Sequence, residues 1–507
     1  MTTLNRPPLV QHDYRHLPDN DAIQAWMRDC AARSANAEYL LLGQSAGGRD
    51  IGAIVISAQP AFLEQARTQK PVPAADGERL RLMITGGQHG NETASPEAVQ
   101  QLVYELLAGE LQHLPQQADI IIVPIANPDG RDLACRENAC GININIDYIL
   151  LSQSESRLLG AALRRWQPHA ILDVHESEAF KKDTLALQGY ITDFAIQFEI
   201  GFEPNIDIRL REFGERQFLP RLLKTAEQHG LRASRYIMEI LDISAPITHG
   251  GLTLRNFRNY AGFHNVFSVL VEGCVNPPDG DYPTPDNIQH RTSQLYQSIH
   301  AYLQEVLAQR EDIQELTAAA RRGWRGLAGS GQLALVSAYE TDPVQPRIGI
   351  NLKAIDSGAD VMIEFDNHAR VVTRTTLAVP HAYLVCAHQG RIAELLERHG
   401  IVYQRVVDTQ FSVNAHQRTI RELTITPPSQ PVGRYKVDLQ LDESDGNVQA
   451  MPGDLWIDLA QPQGRLVPLL LEPQSSTSIF HEAEYVQLLT RGRFFIVPVT
   501  AVEPRLW

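Results

Sequence analysis

Four short, mainly apolar runs, each emptying into a polar group, constrain this chain more than any other feature. They are Leu80–Thr85, Ala118–Pro124, Ala170–Val174 and Val266–Val271. Continuous runs of that length read as strands buried on both faces. Helical periodicity falls between them, from about residue 94, over 155–166 and over 219–229. Strands alternating with helices predict a doubly wound α/β sheet. In such sheets the site lies past the carboxyl ends of the strands. His89, Asn127, His175 and Glu272 all stand at or just past such an end.

The flanking sequence fits this frame. A first helix is predicted over 22–35, and strands over 39–43 and 51–57 joined at Gly47-Gly48-Arg49-Asp50. Asn127-Pro128-Asp129-Gly130 is a turn sequence. A helix over about 292–309 closes this half, and the charged stretch through Arg322 reads as a linker or its continuation. From Gln332 onward the texture becomes β-rich, as in Val361–Phe365 and Arg370–Arg374. One helix over about 390–399 interrupts it, and a strand over 494–499 ends it. The expected organisation is a catalytic domain over 1–315 and a smaller β-rich accessory domain over 330–507.

The formal net charge of −15 argues against nucleic acid or an anionic membrane surface as partner. No run of about eighteen apolar residues predicts a membrane span. The first residues lack a basic segment followed by an apolar one, so no secretory signal is expected. Five cysteines (Cys30, Cys135, Cys140, Cys274, Cys386) without repeated spacing suit reduced thiols in a cytoplasm.

The chemistry centres on Gly86-Gly87-Gln88-His89-Gly90-Asn91-Glu92, between the first apolar run and a helix. An imidazole and a carboxylate three apart on a tight strand-to-helix turn can reach one cation. With a distant third ligand they make a catalytic zinc site with an open position. Alone the pair is commonplace. The functional reading of His175, at a strand end after Asp173, is third ligand, with Glu176 a weaker candidate; by itself it would read as a core histidine. Glu272 closes an otherwise apolar strand, where a carboxylate is costly unless paired or working. Its functional reading is general base, its bland one a salt-bridged strand end. Arg136 could stabilise an oxyanion or be a solvated loop arginine. Arg255, Arg258 and His249 could bind an acidic substrate group or be surface. It is the coincidence of His89, Glu92, His175 and Glu272 that carries weight.

These residues resemble the zinc carboxypeptidase family of the carboxypeptidase A type. The likeness runs in order through Leu42-Gly43-Gln44-Ser45 with Gly48-Arg49-Asp50-Ile51, His89-Gly90-Asn91-Glu92 and Asn127-Pro128-Asp129-Gly130. It continues through Arg136, Gly141, Asn145, Asp147-Tyr148, Asp173-Val174-His175 and Leu270-Val271-Glu272. It implies one zinc per chain held by His89, Glu92 and His175, Arg136 polarising the scissile carbonyl, and Glu272 as general base. The implied fold is a mixed, mainly parallel eight-stranded sheet between helices. Residues 262–272 are also similar to a bacterial branch with a C-terminal β-rich extension. Pro380-His381-Ala382-Tyr383 and Leu470-Leu471-Glu472-Pro473 resemble that extension more loosely.

One departure bears on specificity. The family's loop pairs an asparagine with an arginine that grips the substrate's terminal carboxylate. This chain keeps Asn145 but carries Ile146 in place of the arginine, and Asn143 in place of an aspartate. Isoleucine cannot replace a bidentate guanidinium. The family's tyrosine upstream of the general base has no clear counterpart; His249 is nearest in spacing, and Tyr260 lies closer to the base. Either Arg255 or Arg258 takes over the carboxylate, or the substrate has none there. The second option resembles amide deacylation in the related desuccinylase and aspartoacylase branch. The expectation is therefore a zinc hydrolase of peptide or small amide bonds, an atypical carboxypeptidase. An N-acyl amino acid amidase is the alternative, and a binding or scaffold protein that has lost catalysis is the rival class. The β-rich half leaves room for oligomerisation.

Overall fold

Leu80–Gly86, Ala118–Val123 and Ala170–Ser177 lie side by side, and all but the last residue of the three are buried. The computed structural model describes residues 4–68, 79–275, 288–324, 328–407, 411–429 and 433–501. In chain order its first strands are β1 (Ala37–Gln44), β2 (Asp50–Ile56), β3 (Leu80–Gly86), β4 (Ala118–Val123), β5 (Ala170–Ser177), β6 (Tyr190–Thr192), β7 (Ile196–Ile200), β8 (Ala233–Arg235) and β9 (Phe267–Cys274). Eight of them form one sheet in the order β1-β2-β4-β3-β5-β9-β7-β8. Its centre is parallel (β4, β3, β5, β9), while β1, β2 and β7 run antiparallel to their inner neighbours. This is the expected mixed α/β sheet.

Chain contacts divide the molecule into two compact units. The first holds residues 1–148, 152–318 and 339–371; the second holds 149–151, 319–338 and 372–507. Besides the large sheet, the first unit contains a small antiparallel one built from β6 and two later strands. Four more strands follow β9, namely β10 (Gln332–Glu340), β11 (Arg347–Ala354), β12 (Asp360–Asp366) and β13 (Arg370–Ala378). The small sheet has the order β12-β11-β6, with Leu352 opposite Thr192. Leu185, Ile240, Ile247, Leu352 and Phe365 form its core.

The second unit is β-rich, as expected. It comprises β14 (Ala382–Val385), β15 (Gln404–Arg405), β16 (Phe411–Thr426), β17 (Lys436–Ala450), β18 (Leu455–Asp458), β19 (Gly492–Arg493) and β20 (Ile496–Ala501). Their order is β15-β18-β14-β20-β16-β17, with β19 against β16. A helix, Gln389–Arg398, interrupts the strands. Inside this unit Glu472 accepts from the buried Tyr383 hydroxyl at 2.5 Å and from the Arg418 guanidinium.

One local reading resolves differently from the sequence pattern, and one open alternative is decided in favour of helix. Asn127-Pro128-Asp129-Gly130 winds into a short helix, Pro128–Asp132, because the Asn127 side chain caps it by accepting from the Gly130 amide at 2.9 Å. The charged stretch after residue 309 is the helix Arg310–Trp324, with acids in its first turn and arginines in its last. The five cysteines are free thiols. Among the described residues no helix is long and apolar enough to cross a membrane.

Candidate active site

The loop after β3 is shaped by close approach. Gly87 adopts φ +64°, and a Cβ on Gly90 would lie 1.9 Å from the Gly130 carbonyl carbon. The loop thus presses against the turn after β4. Ser95 ties it to β5, accepting from the Gly87 amide at 3.1 Å and donating to the Val174 carbonyl at 2.5 Å. Asp129 fixes the same turn to the β1–β2 hairpin through Ser45, the Gly47 amide and Arg49. The glycines and polar residues read as a motif in the sequence are therefore the contacts that hold two loops together beside the strand ends.

His89, Glu92 and His175 converge there, with one ligand atom from each lying within 4.8 Å of the others, and all three side chains are buried. Both imidazoles turn Nδ1 inward: His89 Nδ1 lies 2.6 Å from Glu92 Oε1, and His175 Nδ1 lies 2.9 Å from Glu92 Oε2. Their outer nitrogens are anchored. His89 Nε2 is 3.0 Å from Asn143 Oδ1, and His175 Nε2 is 3.1 Å from Asp173 Oδ2. Gln88 donates to the other Asp173 oxygen at 2.8 Å and accepts from the Tyr148 hydroxyl at 2.8 Å. Outer-shell partners of this kind set the tautomer and orientation of metal-binding histidines.

The donor chemistry fits zinc: two imidazole nitrogens and a carboxylate with their open sides facing one point. Burial pushes the Glu92 carboxyl up, but the two imidazoles outweigh it and hold the group well below the usual carboxylate range. Burial lowers His89. For His175 burial acts in the same direction, yet Asp173 and Glu92 raise it well above an ordinary histidine. Among the described residues this is the one cluster of three such groups.

Glu272 on β9 stands directly opposite His175 on β5 in the parallel register. Its Oε2 is buried without a hydrogen-bond partner. Burial pushes its pKa up to about 7, against the pull of His175, Arg136 and Lys181. Arg136 is 45% exposed and donates to Glu92 Oε1 at 3.2 Å. A cavity of about 1040 Å³ within the first unit is lined by His89, Glu92, Arg136 and Glu272 together.

The remaining candidates lie elsewhere. Asn145 accepts from the Phe257 amide at 2.9 Å and approaches His175 Nε2 at 3.4 Å; neither it nor Ile146 lines the cavity. Arg255 does not line it either, and its carbonyl accepts from the Tyr148 amide. Arg258 is buried, its guanidinium 4.8 Å from the Phe202 ring centroid and 5.8 Å from that of Tyr236. His249 is buried with Nδ1 2.7 Å from the Tyr236 carbonyl, and Tyr260 is buried against Tyr148. Two tyrosines, Tyr14 and Tyr236, line the cavity with Glu272, and the sequence pattern singled out neither; Tyr236 is the one that interacts with Glu272. Burial raises its phenol, and Glu272 adds to that. Its only sequence cue is its place just past the short strand β8.

An imidazole–carboxylate–imidazole set, with a further carboxylate on the adjoining strand end, is a donor set that could hold a metal ion. Residues 23–160 match the model of the zinc carboxypeptidase family, Peptidase_M14. It is 24% identical over 476 residues to Carboxypeptidase 2 of Trichophyton tonsurans, covering 90% of this chain and 82% of that one. A 114-residue stretch is 32% identical to the inactive metallocarboxypeptidase ECM14 of Ajellomyces capsulatus, covering 21% of this chain and 17% of that one. A metallo-carboxypeptidase from Pseudomonas aeruginosa, solved with (2-guanidinoethylmercapto)succinic acid, superposes with a TM-score of 0.43 at 19% identity. That match covers 59% of this chain and 71% of that one.

Proposed function

We propose that the first unit is a zinc-dependent hydrolase of peptide or amide bonds, with Glu272 as general base and Arg136 as the oxyanion donor. The observation that carries this reading is the convergence of His89, Glu92 and His175 beside Glu272 on one cavity. Zinc held by those three residues would supply a Lewis acid that polarises a carbonyl and acidifies water. Glu272 accepts a proton from the attacking water and returns it to the leaving nitrogen. A carboxylate pushed up to about 7 is suited to both halves of that exchange. Arg136, partly exposed to the cavity, donates to the carbonyl oxygen as it gains charge. The β-rich second unit serves as an accessory domain in this reading.

The test is hydrolysis of a matched pair of N-acyl dipeptides, one with a free C-terminus and one amidated, with zinc content measured on the same sample. Cleavage of the free acid supports an atypical carboxypeptidase. Cleavage of the amidated form instead supports an amidase or deacylase, the second reading, which the apolar Ile146 favours. Stoichiometric zinc without turnover of either form would leave only a binding role. The intact donor set disfavours that outcome.

A further inference from the structure

Besides Arg136, the cavity that holds Glu272 is lined by three cations, Lys181, Arg291 and Arg15. Lys181 follows β5 in the loop six residues after His175, is half-buried, and lines the same cavity. Its Nζ donates to Ser177 Oγ at 3.1 Å. Among the described residues no carboxylate lies within ion-pair distance of it. The other buried-side cations of the cavity are engaged: Arg136 with Glu92 at 3.2 Å and Arg291 with Glu176 at 2.9 Å. Arg15 lies on an exposed stretch. The two arginines expected to replace the missing guanidinium do not reach the cavity.

A half-buried ammonium that faces the cavity with one hydroxyl as its hydrogen-bond partner is placed to pair with an anion arriving with the substrate. We propose that Lys181 binds a carboxylate of the substrate, making the enzyme selective for acidic substrates although Ile146 lacks a charge. This rests on the hydrolase reading above. The carboxylate can belong to the leaving side, as a free C-terminus, or to the acyl side, as in a succinyl group; the contact is the same.

The experiment uses the full-length, zinc-loaded chain carrying Glu272→Gln, so that ligands bind without turnover. Calorimetry compares an N-acetyl dipeptide acid, its amide, and the N-succinyl dipeptide amide, with and without Lys181→Met. The expected result is that at least one acid binds more tightly than the neutral amide. Lys181→Met should weaken that acid by about tenfold or more and leave the amide unchanged. Lys181→Arg should keep most of the preference. Which acid is affected tells which side of the scissile bond faces Lys181. No preference for either acid, equal weakening of all three ligands, or loss of acid binding in Arg255→Met or Arg258→Met but not in Lys181→Met would overturn the proposal. If acid binding depends on Lys181 but the wild type cleaves nothing, the hydrolase reading fails and the binding assignment stands.

Discussion

His89 Nε2 faces the amide oxygen of Asn143 at 3.0 Å, where a carboxylate would make the imidazole a stronger donor to a cation on its other side. Asn143→Asp is therefore expected to tighten zinc retention, and Asn143→Leu to weaken it by about tenfold or more. Competition against a chelator of known affinity measures both. Equal zinc affinity in all three proteins would remove Asn143 from the support of the site.

A second brace reaches the ligands from the helix Ile288–Ala308. Arg291 donates to Glu176 at 2.9 Å and to Thr93 at 3.3 Å, while the Glu176 amide donates to Glu92 at 3.0 Å. Arg291 thus joins the strand bearing His175 to the turn after Glu92. Removing one partner of a buried pair costs about 3–5 kcal/mol. Arg291→Met should lower the thermal midpoint and zinc affinity together, and Arg291→Lys should recover part of both. A lowered midpoint with unchanged zinc affinity would make Arg291 a purely structural group.

The pH dependence follows from Glu272. Burial raises its pKa to about 7, so its proton stays on below that value and the general base is lost as the pH falls through it. Bound zinc adds positive charge and moves the same limb downward. kcat/KM is expected to rise with pH along a limb at or below about 7, and Glu272→Gln to lose turnover by about 100-fold or more while keeping zinc. Turnover in Glu272→Gln equal to that of the wild type would exclude Glu272 as the base.

Thiol reactivity separates the cysteines. Burial, with Asp29 beside Cys30 and Asp454 beside Cys386, pushes both thiols up to about 12. Cys140 is exposed. Alkylation of the native protein at pH 8 should label Cys140 first and spare Cys30 and Cys386, since the thiolate is the nucleophile. Peptide mapping reads the order directly.

The parallel core and its four polar strand ends were legible because burial on both faces forces continuous apolar runs, and a charge closing such a run stands out. His89, Glu92, His175 and Glu272 could be named on that ground. Tyr236 and Lys181 could not. Both sit in irregular segments where no period marks which side chains face the cavity, and their position depends on contacts distant in sequence. The same limit hid the sheet β12-β11-β6, because a three-residue strand such as β6 carries no pattern of its own and acquires its partner from 160 residues downstream. Arg255, Arg258 and His249 were drawn in by charge and spacing. Burial against Phe202 and the Tyr236 backbone keeps Arg258 and His249 behind the cavity wall.

Pairing of Leu352 with Thr192 also settles how the polypeptide can be divided. The chain leaves the first unit after residue 318, re-enters it at 339 and departs again at 371. A fragment ending near residue 320 therefore takes β6 without its neighbour and exposes Leu185, Ile240 and Ile247, of which Ile240 also lines the cavity. Between residues 318 and 372 the chain passes from one unit to the other three times. No single cut yields both intact, and a recombinant first half has to carry residues 339–371 as a second, rejoined piece.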